Sequence, residues 1–176
     1  MPPLIVTVVI GFVGACVLTD VRSRRIPNLL SLAGATAGIV LNAAYFGTTG
    51  LVASVCGSAL AIGLLLAPFA LGGIGGGDVK MLGAVGALLG PRLVLLALGG
   101  GLTVGGVAMA VHLARRGRLG ETLLRTAVLA HAAAAAHSLD PLRVSAAAPG
   151  AVALPYSVPL AIGTLAATLV GIGGLS

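Results

Sequence analysis

The chain has 176 residues, of which 58% are hydrophobic and only 8% charged, with ten Lys and Arg against four Asp and Glu for a net charge of +6. A mean hydropathy of +1.15 excludes an ordinary soluble globular domain and places the chain in a lipid bilayer. The basic residues punctuate apolar runs instead of forming a patch with aromatics, so the charge reads as membrane topology and not as a nucleic-acid surface.

The apolar segments are continuous rather than alternating, which predicts helices and not the strands of a membrane barrel. The 28 glycines suit helices that approach closely in lipid. The expected fold is all-α: a polytopic bundle of six transmembrane helices in a single domain over 1–176. Residues 1–19 form the first span, with Pro2 and Pro3 at its tolerant start. No basic stretch precedes it, so it reads as a retained helix and not a cleaved signal. It closes at Asp20-Val21-Arg22-Ser23-Arg24-Arg25. Residues 26–77 carry no charge, too long a run for one crossing of about 20 residues. Gly47-Thr48-Thr49-Gly50 is the natural reversal between span two, about 29–46, and span three, about 51–71. Cys16 and Cys56 lie inside apolar runs and form no C-x-x-C pair, so they read as packing residues and not as metal ligands or a disulfide.

After the glycine-rich 72–77 come Asp78-Val79-Lys80 and a short apolar run, 81–90, ended by Pro91 and Arg92. A dozen helical residues reach only about 18 Å into a hydrocarbon layer roughly 30 Å thick. Asp78 is therefore expected to be recessed within the bundle, where a carboxylate is costly and signals function. Span five takes about 93–114 and ends at Arg115-Arg116-Gly117-Arg118. An insertion at about 115–150 holds the polar segment 119–150, in which 121–139 is expected to lie along the membrane interface as a helix. Span six takes about 151–171.

Along this path Arg22, Arg24, Arg25, Lys80, Arg115, Arg116, Arg118, Arg125 and Arg143 fall on one side of the membrane and Arg92 alone on the other. The positive-inside rule makes the larger group cytoplasmic, with both termini outside, and sets Asp20 and Asp78 at the cytoplasmic ends of their helices. Glu121 and Asp140 lie in the polar loop, where acids are ordinary. Two carboxylates at matching depth can share one proton and activate a water, one as general base and the other as general acid polarising a scissile carbonyl. Helix dipoles favour Asp78 as base and Asp20 as acid, the neighbouring arginines favour the reverse, and the protons belong to the pair, so the assignment stays open. The plain structural roles are an interfacial helix end for Asp20 and an N-cap for Asp78.

The stretch from Asp20 through Ile26-Pro27-Asn28 resembles the first aspartate motif of type IV prepilin peptidases, and Gly75-Gly76-Gly77-Asp78-Val79-Lys80 resembles that family's G-x-G-D-x-K. The G-x-G-D core also occurs in presenilin-type intramembrane proteases. Leu154-Pro155-Tyr156 leading into Leu160-Ala161-Ile162-Gly163 is similar to the family's last helix, so the resemblance covers nearly the whole chain. It implies an aspartic endopeptidase that removes the basic leader from type IV or Flp-type prepilins, or from prepilin-like secretion proteins (pseudopilins), at the cytoplasmic face of the inner membrane. It implies Asp20 and Asp78 as the catalytic pair, with no metal and no cofactor. The chain also looks like the short, peptidase-only form, without the paired C-x-x-C motifs that accompany N-methyltransferase activity.

Supporting roles are expected for Gly75 and Gly77, which allow a substrate backbone to come close, and for Pro27 and Asn28, which restart the chain into span two with the Asn amide capping backbone groups. Lys80 lies two positions from Asp78, about 200° around a helix, so it is expected to meet lipid phosphate or an acidic substrate group and not Asp78. The alternative reading is a small proton-coupled transporter or channel using the same carboxylates. It would favour an internal repeat of 72–80, and none is visible. A noncatalytic assembly subunit would leave both aspartates dispensable. His131 and His137 fall about 120° apart on a helix, no H-E-x-x-H occurs, and His112 reads as an interface residue, so a metalloprotease has little support. Lys80 is the sole lysine and has no serine in its segment, which disfavours a Ser/Lys peptidase.

Overall fold

The structure, a computed structural model, describes residues 1–71, 74–118, 120, 122, 124, 127, 128, 131 and 156–173. It is all-α, with α1 over Pro3–Ser23, α2 over Asn28–Ala70, α3 over Gly76–Arg115 and α4 over Ser157–Gly173. The first three are long and apolar enough to cross a membrane, and α4 is a shorter apolar helix. Most of the expected interfacial helix over 121–139, and residues 151–155 of the last expected span, lie outside the described residues.

Six helices were expected and four continuous ones are observed, because α2 and α3 each reverse at a single glycine, with no loop between. Gly47 (φ 62°, ψ −142°) breaks α2 and Gly90 (φ 77°, ψ 177°) breaks α3. Both φ values lie in the region that glycine alone reaches without strain. Past Gly47 the chain returns on itself, so that the Ser54 hydroxyl donates to the Gly38 carbonyl at 3.3 Å. On a straight helix these two residues would stand about 24 Å apart. In α3, Gly105 packs against Tyr156 and Pro159 at the start of α4, and the adjacent Ser157 reaches Asp20, which shares a pocket with Asp78. A straight α3 would separate Gly105 from Asp78 by about 40 Å, so the second arm of α3 must run back alongside the first.

The first arm of α3 is the centre of the molecule. Apart from Lys80, every residue from 78 to 90 is buried, as an apolar surface on all sides requires. Met81, Leu82, Val85 and Leu88 share one core with Ile5, Val9 and Phe12 of α1, Ala61 and Leu65 of α2, and Leu160 of α4. Glycines set the closest approaches: Gly57 of α2 meets Gly86 of α3, and Gly163 of α4 meets Ala97 and Gly101, with no room for a Cβ at either crossing. Leu29, Leu32, Val52, Leu102, Val107 and Leu169 point outward and give the bundle an apolar exterior suited to hydrocarbon.

Candidate active site

Asp20 belongs to the last turn of α1, which runs on through Ser23. The turn closes when Arg24 adopts a left-handed conformation (φ 50°) and its backbone N–H donates to the Asp20 carbonyl at 2.7 Å. Asp78 is the third residue of α3. The N-cap is Gly75, not Asp78, whose own backbone N–H donates to the Gly75 carbonyl at 3.1 Å. Asp78 is 9% exposed, whereas Asp20 is half-buried.

The two carboxylates converge. Asp20 and Asp78 line one cavity of about 370 Å³, together with Arg24, Arg25, Ile26, Asn28, Lys80 and the run 75–77. The volume admits several waters at about 30 Å³ each. A Cβ on Gly75 would lie 3.4 Å from Asp78 Oδ2, and one on Gly77 3.4 Å from Ile26 Cγ1, both ordinary contacts. Neither glycine has a positive φ, so backbone conformation does not demand them. What side chains there would occupy is the open cavity beside Asp78.

Among the supporting residues, Pro27 is the N-cap of α2, with extended φ and ψ of −60° and 138°, and does not line the cavity. The expected capping role of Asn28 is not what its side chain does: it is the first helical residue, past the cap position that Pro27 fills, and α2 has no side-chain cap. Its Oδ1 instead accepts a hydrogen bond from Lys80 Nζ at 2.8 Å. Lys80, expected to meet lipid phosphate or substrate, therefore spans the rim to the start of α2. This direction agrees with its angular distance from Asp78.

The serine that opens α4 escaped the sequence reading. Ser157 is fully buried and its hydroxyl donates to Asp20 Oδ2. The available signal was a hydroxyl at the first position of an apolar helix, directly after Tyr156. Among the described residues no group of three His, Cys, Asp or Glu side chains comes together.

No curated protein and no solved structure matches the chain. One family model does, that of the type IV leader peptidase family, over residues 7–112, a stretch that includes both aspartates and more than half of the chain. The match shows that this apolar helical chain belongs to the type IV leader peptidase family, membrane-embedded peptidases of the prepilin-processing type.

Proposed function

We propose that this chain is an aspartic endopeptidase that removes the basic leader of type IV or Flp-type prepilins, or of prepilin-like secretion proteins, at the cytoplasmic face of the inner membrane. The observation that carries this reading is the meeting of Asp20 and Asp78, from separate helices, in one cavity within an otherwise apolar bundle. Carboxylates are costly in such surroundings, and a pair of them supplies the base and the acid that aspartic peptide hydrolysis uses. One carboxylate takes a proton from a water held between the two, and the water oxygen attacks the scissile carbonyl carbon. The other, protonated carboxyl gives its proton to the carbonyl oxygen, forming a neutral tetrahedral diol. The pair then gives its proton to the leaving nitrogen and takes one from a diol hydroxyl as the C–N bond breaks, so that it regains its single shared proton. The space kept open by Gly75 and Gly77 accommodates an extended substrate backbone.

The arms on either side of Gly47 and Gly90, with α1 and α4, make six crossings in this reading. The basic residues of the Asp20 and Asp78 end then face the cytoplasm by the positive-inside rule. The test is co-expression with a prepilin from the same genome, following leader removal by gel shift for wild type, Asp20→Asn and Asp78→Asn. Asn keeps the size of each side chain and removes its proton chemistry. Cleavage by wild type and its loss in both variants, with the proteins present in the membrane, is expected; cleavage that survives either substitution excludes the two-aspartate mechanism.

A further inference from the structure

The mechanism above uses the acidic pair and leaves unexplained why a fully buried hydroxyl from a third helix ends on one of them. Among the described residues, every other fully buried threonine or serine hydroxyl has a simpler partner. Ser31 donates to Pro27, Ser54 to Gly38, Thr164 to Leu160 and Thr168 to Thr164, all backbone carbonyls. Ser157 alone among them donates to a carboxylate. It is the first residue of α4. The hydroxyl is held in place by the packing behind it. Gly101 lies against Leu160 and Gly163 against Ala97, so the first turns of α4 cannot slide on the second arm of α3.

We infer that Ser157 is a positioning residue for hydrolysis: its hydroxyl fixes Oδ2 of Asp20 and so presents Oδ1 to the shared water and to Asp78. The inference rests on the proposed role of the two aspartates and adds a third element to the site, one outside the residues covered by the family match. A carboxylate on the last turn of α1 has free rotation about its Cβ–Cγ bond. A donor fixed in a packed helix removes that freedom and keeps the pair in register before substrate arrives.

The test is the steady-state kinetics of leader removal by the purified full-length protein in detergent, with the same prepilin as substrate. Ser157→Ala deletes the donor with little change in volume. It is expected to lower kcat about 100-fold while KM stays within about threefold, since the lost contact orients a reacting group and does not bind substrate. Ser157→Thr, which keeps the hydroxyl, is expected to recover most of the loss. Thr164→Val, which deletes another buried hydroxyl two turns along the same helix, is expected to retain wild-type kcat. Thermal unfolding of each variant separates a lost fold from a lost contact. Wild-type kcat in Ser157→Ala overturns the inference. So does an equal fall in Ser157→Ala and Thr164→Val, and so does a well-folded Ser157→Thr that is no better than Ser157→Ala. Asp20→Asn and Asp78→Asn run alongside: cleavage surviving in either removes the two-aspartate reading itself, whereas their inactivity beside an unaffected Ser157→Ala removes only the role of Ser157.

Discussion

Lys80 and Asn28 meet at 2.8 Å across the rim of the cavity that holds Asp20 and Asp78. Both side chains are exposed, so water competes for each and the bond can contribute little to stability. Asn28→Ala is therefore expected to shift the Tm by no more than about 3 °C. It should also leave kcat/KM for prepilin cleavage within about tenfold of wild type, because no proton in the proposed reaction passes through the amide. A loss as deep as that of Asp78→Asn would instead make Asn28 part of the chemistry. The sequence singled out the two aspartates as candidates because carboxylates are costly in so apolar a chain. Ser157 was not, because serine and threonine hydroxyls are usually satisfied by their own helix, as Thr7, Thr103 and Thr164 are here. Only the fold reveals that this hydroxyl opens a helix and faces Asp20. Asn28 was misread for a related reason: an Asn after Pro suggests a cap, yet the helix begins one residue earlier than that role needs.

At the scale of the helix, the two reversals differ in cost. Gly90 is followed by Pro91, which has no N–H to donate to the carbonyl of Ala87, and the turn at Gly90 carries the N–H of Arg92 away from Leu88. In hydrocarbon such carbonyls need other partners. Asn42 of α2 supplies one, its Nδ2 donating to Ala87 and Leu88 at 3.1 Å each. Asn42→Leu, close in volume and without a donor, is expected to destabilise the protein by about 2 kcal/mol. That corresponds to a fall in Tm of roughly 4–8 °C. Thermal unfolding in detergent checks this, and an unchanged Tm would show that the freed carbonyls find other donors. The sequence marked both reversals through glycine and proline, and the run 81–90 was expected to be short, as the break at Gly90 makes it. The compactness of the Gly47 turn was not legible, since Gly47-Thr48-Thr49-Gly50 suggests a four-residue connection where one residue suffices. Nor was the bond from Asn42, whose partners lie 45 and 46 residues away.

At the scale of the whole molecule, hydropathy identified a helical membrane protein but gave no guide to which helices touch. Lipid is as apolar as the core, so the outward Leu29 and Leu169 and the inward Leu82 and Leu88 carry the same signal. Neighbours are set by small residues, Gly57 on Gly86 and Gly163 on Ala97, whose pairing appears only in three dimensions. The assembled bundle has two distinct ends. Asp20, Asp78, Arg24, Arg25 and Lys80 share one; Met1, Phe46, Arg92 and Gly171 surround a separate cavity. This polarity gives the proposed orientation a direct test in a background with Cys16 and Cys56 replaced by Ala. Arg92→Cys removes the lone basic residue of its side and can only strengthen the charge bias, while Arg115→Cys leaves most of the other group intact. In spheroplasts, a membrane-impermeant maleimide is expected to label Arg92→Cys directly and Arg115→Cys only after permeabilisation. The reverse pattern would turn the Asp20 and Asp78 cavity toward the outside, away from a leader that remains in the cytoplasm, and the proposed substrate could then not reach it.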